Sequence, residues 1–201
     1  MKSLYDFFQQ CNKLKETYRF SQVDVLKDQE SSADHSWRLA MMSFMIGEKL
    51  SLDINMLHAV KLALIHDIAE AETGDIDARL IYNGSVSKKQ KSKDEEEAFL
   101  KMTSNLNKEQ AGEIIALWKE YEEGETREAK YIRALDKMEG LMHYIANGKG
   151  IFDEPDLMGT YGNKIVGEVP KLKPIFQLIK DDLKRLCLEN GKEWKKEYNI
   201  S

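Results

Sequence analysis

The chain has 201 residues, 42% hydrophobic and 32% charged, which is enough for one sizeable core and too apolar for a disordered chain. Its net charge of −5 argues against a general nucleic-acid binder, which needs a basic face to neutralise phosphates. The two cysteines, Cys11 and Cys187, lie far apart and exclude a thiolate zinc site, and no run of about 18 apolar residues is present to span a bilayer.

With only 12 Gly and 3 Pro to break them, long helices are expected. The first residues, Met1-Lys2-Ser3-Leu4-Tyr5-Asp6, lack the pattern of a signal peptide, so a reducing cytoplasm is the expected compartment. Leu4, Phe7, Phe8, Cys11 and Leu14 recur at helical spacing and predict an amphipathic helix over 3–17. Residues 18–32 read as a connecting segment. Ser31 and Ser32 then offer N-caps for a helix over about 33–50. That helix is apolar nearly all round (Trp37, Leu39, Met41, Met42, Phe44, Met45, Ile46), which predicts a central, buried position.

Asp53 or Asn55 starts the next helix, which is expected to run to about 72 and stop at Gly74. Residues 81–93 read as a Lys-rich surface loop, with Glu95-Glu96-Glu97 at a solvated helix start over 94–104. Further helices are expected over 108–122, with Ile114, Ile115, Leu117, Trp118 and Tyr121 inside, and over 126–147. Residues 148–169, with five Gly and one Pro, read as loop-rich. A last helix is expected over 171–189, followed by a charged tail that frays. The pattern describes an all-α helical bundle, a single domain over 1–201.

Three of these apolar helices carry polar groups that are costly to bury alone. His35 opens one, His66-Asp67 interrupts another, and Asp136 interrupts a third. Glu70 follows His66 by four residues and Asp67 by three, so all three side chains can look into one volume. Two imidazoles and two carboxylates form a mixed N/O set suited to a divalent ion, with coordination sites left for water or substrate. Glu70 is the candidate for proton handling. His58 and His143 read as structural, Arg38 as a structural ion pair, and Glu72 and Asp77 as solvated.

The order His35…His66-Asp67…Asp136 resembles the signature of the HD-domain metal-dependent phosphohydrolases. The chain is most similar to their 5′-deoxynucleotidase branch, through Leu14-Lys15 with Arg19, Glu30-Ser31 through His35, His66-Asp67-Ile68-Ala69-Glu70, Gly74-Asp75-Ile76, Leu117-Trp118-Lys119-Glu120-Tyr121-Glu122 and Leu135-Asp136-Lys137-Met138-Glu139. The likeness covers about residues 10–146, the metal-site core; about 147–201 reads as a C-terminal helical extension without it. The resemblance implies His35, His66, Asp67 and Asp136 as ligands of one divalent ion (Co, Mn, Zn, Fe, Ni or Mg). It implies Glu70 and Asp75 as catalytic groups. Arg19, Phe20 and Asp75 are implied to bind substrate, Arg19 by clamping the phosphate and Phe20 standing where a stacking aromatic is expected. The implied reaction is hydrolysis of deoxyribonucleoside 5′-monophosphates by a cytoplasmic homodimer, with no polymer or membrane partner. A guanosine tetraphosphate hydrolase, a cyclic-nucleotide phosphodiesterase and a non-catalytic nucleotide-binding module are the alternatives. The phosphodiesterase is disfavoured because the chain has only four His.

Overall fold

Apolar stripes at helical spacing need a common partner, and here that partner is the helix Arg127–Asn147. The structure is a computed structural model, and it describes residues 1–19, 29–147 and 155–200. Among these residues the chain is helical, without strands beyond one isolated antiparallel bridge, Tyr18–Ser31. The helices are α1 (Lys2–Cys11, continued by a 3-10 turn Asn12–Lys15), α2 (Ser32–Lys49), α3 (Met56–Ile65), α4 (Glu70–Thr73), α5 (Ala78–Tyr82) and α6 (Lys88–Thr103). There follow α7 (Lys108–Glu123), α8 (Arg127–Asn147), α9 (Pro155–Thr160), α10 (Asn163–Gly167) and α11 (Lys173–Glu189). None of these is long and apolar enough to cross a membrane.

The centre of the bundle is α8 rather than α2. Ala129, Tyr131, Ile132, Ala134, Leu135, Met138 and Leu141 are all buried, and α2, α3, α7, α10 and α11 pack around them. The expectation that α2 is buried on all sides fails. Its inward stripe is Ser32, His35, Ser36, Leu39, Ser43 and Gly47, mostly small residues that let α2 approach closely. A Cβ at Gly47 would lie 3.2 Å from the Tyr131 hydroxyl, which itself donates to the Ser43 carbonyl. The large side chains face outward, with Trp37 64% and Met45 57% exposed. Trp37, Met41 and Phe44, with Phe8 and Leu64, border an open apolar groove between α1, α2 and α3.

Four further expectations change. The helix carrying His66 does not run on to 72. It ends at Ile65, and the Ala63 carbonyl, which a continuous helix would offer to the Asp67 N–H, accepts from His66 Nδ1. Tighter bonds follow, Ile68 N–H to Ile65 and Glu70 N–H to Asp67, before Gly74 stops α4 at φ 75°. Lys88–Lys93 is not loop but the first turns of α6, capped by Ser87, because Lys91 folds back onto the buried Glu95. Within 148–169, α9 and α10 replace much of the expected loop, while 148–154 lie outside the described residues. The tail does not fray: Tyr198 is 1% exposed, its ring covers Gly159 and its hydroxyl donates to Asp156. Leu157, Met158, Val166, Leu172 and Phe176 join Leu39, Leu62 and Leu135 in one apolar cluster.

Because Tyr198 is an anchor rather than part of a frayed end, Tyr198→Ala is expected to lower the unfolding free energy by roughly 3 kcal/mol, as large aromatic truncations do. A urea unfolding curve checks this; a change within about 0.5 kcal/mol, the range of surface substitutions, would contradict the packing.

Candidate active site

Four side chains from α2, the α3 terminus and α8 meet in the interior. Ser31 starts α2 through a reciprocal cap with Asp34, which places His35 one turn into the helix, fully buried. His35 Nδ1 donates to Glu139, so its Nε2 faces inward, 3.2 Å from His66 Nε2 and 3.3 Å from Asp136 Oδ1. His66 Nδ1 donates to the Ala63 carbonyl at 2.9 Å, which leaves its Nε2 with a lone pair. Asp136 Oδ2 accepts from the Tyr121 hydroxyl and from Lys137 Nζ, both at 2.8 Å, and Oδ1 is turned to the cluster. Asp67 Oδ2 stands 3.1 Å from His66 Nε2 and 3.7 Å from His35 Nε2.

This donor set suits a cation. His35, His66 and Asp136 each place a ligand atom within 4.8 Å of the others, and Asp67 borders them. Atoms bound to one metal at about 2.1 Å stand roughly 3.0–3.5 Å apart, close to the spacings here. The two imidazole Nε2 atoms cannot satisfy each other as acceptors, so a proton or a metal must lie between them. Burial and Arg19 oppose a charged His35, but Glu139 and Asp136 outweigh them and raise its pKa to about 9. Burial also disfavours charge on Asp67 and Asp136. His66, Arg19 and His35 nevertheless hold Asp67 well below the usual carboxylate range, and Lys137, His35 and His66 do the same for Asp136. Both carboxylates are therefore ionised acceptors at neutral pH.

The cluster opens onto a pocket of about 250 Å³ that Arg19, Glu70 and Asp75 also line. Arg19 is 9% exposed and donates to Asp67 Oδ2 at 3.0 Å. Its backbone is pinned, N–H to the Glu30 carbonyl, beside the Tyr18–Ser31 bridge. Burial suppresses charge on its guanidinium, but Asp67, Asp75 and Asp136 overcome this, so it stays cationic. Glu70 is 3% exposed; Ser32 donates to its Oε2 at 2.7 Å, and Lys91 Nζ lies 4.0 Å from its Oε1. Burial, then Asp67 and Asp75, push its pKa well above the usual range. Phe20 lies outside the described residues.

Sequence reasoning gave no role in the site to Glu139, Lys137 or Lys91, and read Ser32 only as a candidate N-cap and Tyr121 only as a core residue; all five orient the donors and Glu70. Glu139 had a signal, since it follows Asp136 by three residues on one helix. Lys91 had none once its segment was read as loop. Arg38 is a structural ion pair, Nε to Glu139 Oε1 at 2.6 Å with Glu30 at 3.4 Å. His58 binds Glu120 at 2.7 Å away from the cluster, and His143 is buried beside Glu30. Two expectations of solvation fail. Asp77 is buried because its carboxylate caps α5 and holds Arg79, and Glu95 is buried against Lys91. Glu72 lies at the surface, paired with Lys13.

A family model described as HD domain matches residues 11–178. The chain is 32% identical over 148 residues to the 5′-deoxynucleotidase HDDC2 of Dictyostelium discoideum, covering 71% of this chain and 76% of the relative. It is 30% identical over 176 residues to that of Danio rerio, covering 79% and 84%. Its fold matches a crystal structure from Magnetospirillum magnetotacticum described as a predicted metal-dependent phosphohydrolase, with a TM-score of 0.70, 25% identity, and 94% and 93% of the two chains covered.

In chelator-treated protein the raised pKa of His35 sets a sign. The stability from its extra proton is fully present below the unfolded value of 6.5 and is lost as pH rises through about 9. The melting temperature of stripped protein is therefore expected to fall between pH 6.5 and 9. Glu139→Gln, which removes the chief charge holding that proton, flattens the slope. Melting scans across this range check both.

Proposed function

The chain belongs to the HD-domain family, and on that premise we propose that it is a metal-dependent 5′-deoxynucleotidase, hydrolysing deoxyribonucleoside 5′-monophosphates to deoxynucleosides and phosphate. The observation that carries this reading is the buried set of His35, His66 and Asp136 with the half-buried Asp67 beside it, opening onto a pocket that also holds a buried arginine and a buried glutamic acid.

A divalent ion held by those four side chains would supply Lewis acidity, lowering the pKa of water and drawing charge from a phosphoryl oxygen. The mixed nitrogen and oxygen donors suit one ion from among Co, Mn, Zn, Fe, Ni and Mg. The protein's own groups do the rest. Arg19, permanently charged and fixed by Asp67, faces the phosphate and neutralises charge that builds on it. Glu70 Oε2 is held by Ser32, so Oε1 exchanges protons with the attacking water and the departing 5′-oxygen. Asp75, set by the Gly74 turn, orients the sugar 3′-hydroxyl. Phe20, next to Arg19 in sequence, completes the proposed substrate-binding set as an aromatic for base or sugar.

The same reading takes residues 1–201 as one folding unit, supported by the apolar cluster shared between α2, α8 and α11. It takes the working form as a cytoplasmic homodimer in which a second copy covers the groove bordered by Trp37, Phe44 and Leu64. The exposed apolar side chains there support this, since monomers seldom leave such patches contiguous.

Stripping the metal and adding back Mn, Co, Zn or Mg tests the function. Phosphate release from deoxyribonucleoside monophosphates is expected to return with at least one of them and to exceed release from ribonucleotides. No release with any metal would sink the reading. Among variants, Asp67→Ala is expected to lose bound metal and activity together. Glu70→Gln is expected to keep the metal, measured by elemental analysis, and to lose kcat by about 10²–10⁴-fold.

A further inference from the structure

The donor cluster, Arg19 and Glu70 make up the charged part of the pocket, and the rest of its lining includes an apolar surface. That surface comes from Ala78 and Ile81, one turn apart on α5, and from Tyr161 and Ile165 in the C-terminal segment. Ala78 and Tyr161 also line an adjoining recess with Leu141 and Met158. The polar groups at that recess bind each other, since the Asp77 carboxylate accepts from the Arg79 backbone and side chain.

Tyr161 is held there by close packing of the turn that carries it. The turn between α9 and α10 passes through Gly162 at φ 78°. A Cβ at Gly162 would lie 3.2 Å from Lys137 Cβ and 3.3 Å from the Phe176 ring, tighter than ordinary contact, and the positive φ strains any other residue, so glycine suits this close approach to α8. The turn therefore rests on the residue after Asp136. Lys137 Nζ lies 2.8 Å from Asp136 Oδ2 and 5.6 Å from the Tyr161 ring centre, so one lysine side chain spans from the donor cluster to the ring. Tyr161 is half-buried, and it borders the pocket on one side and the recess on the other.

We propose that Tyr161 is a substrate-binding residue, against whose ring the nucleobase stacks while the phosphate lies at the donor cluster. This rests on the function proposed above and adds to it the element that separates a nucleotide from a bare sugar phosphate. An aromatic face suits this task because every base offers a π surface and a planar ring costs little entropy to hold. The C-terminal segment then sets specificity, while α2, α3 and α8 carry the reacting groups.

The test compares a deoxyribonucleoside 5′-monophosphate with 2-deoxyribose 5-phosphate, which has the same phosphate and sugar but no base. In Tyr161→Ala the ratio of their kcat/KM values is expected to fall on the order of tenfold or more, the usual worth of one base–aromatic contact. The loss is expected in KM for the nucleotide, and Tyr161→Phe restores the ratio. Partial unfolding would reduce both substrates alike and leave the ratio in place. An unchanged ratio in Tyr161→Ala overturns the proposal, as does a ratio that collapses only in Phe20→Ala. Wild-type protein that hydrolyses neither substrate with any metal overturns the nucleotidase reading and this one with it.

Discussion

Two imidazole nitrogens face each other across 3.2 Å at the centre of the molecule, and each has its second nitrogen committed elsewhere. Glu139 takes the His35 Nδ1–H and the Ala63 carbonyl takes that of His66, so neither ring can turn away to relieve the repulsion. A positive charge has to lie between them. The surrounding structure serves that requirement. Tyr121 and Lys137 occupy one oxygen of Asp136 and present the other, and Arg19 fixes Asp67 at the rim. These outer partners decide donor orientation in metal sites generally, and their loss costs affinity nearly as surely as loss of a ligand.

Holding such a cluster in a small bundle requires a helix that passes polar groups through an apolar core. On α8, Asp136, Glu139 and His143 form one stripe at spacings of three and four, beside the buried apolar residues Ile132, Leu135 and Met138. Arg38 and Glu30 close the far end of that stripe, so the charges behind the donor cluster are paired rather than stranded. Burial and Glu139 raise the Glu30 carboxyl to about 7, with His35 and Arg19 pulling it back. The small residues on the inner face of α2 belong to the same arrangement: they bring His35 within reach of α8 and push the large side chains outward.

Much of this was legible in the residues. Helices at 32–49, 108–123, 127–147 and 173–189 were marked by periodicity, and the first of them also by its cap, Ser31. The cluster was marked by polar residues that apolar helices do not otherwise tolerate. What escaped depended on tertiary partners. Periodicity reports that α2 is apolar on most sides but not which side another helix claims, and small Ser and Gly residues won the inner face. The break at His66 arises from a side chain competing for a backbone carbonyl, which no propensity records. Lys91 and Tyr198 looked like solvated polymer because Glu95 and Asp156, their partners, were assigned to solvent or loop. Tyr161 sits in a region with no motif and reaches the pocket only through the approach that Gly162 allows.

The bonds at the two ends of residues 19–30 bear on how such a chain tolerates change. Arg19 N–H binds the Glu30 carbonyl and Ser32 N–H binds the Thr17 carbonyl, so the strands entering and leaving this stretch are clamped together at its base. The clamp sits within a few residues of both Arg19 and His35. Lengthening a closed segment costs little, about 0.6 kcal/mol per doubling. The number of residues between the clamped ends can thus drift without moving the guanidinium or the first imidazole.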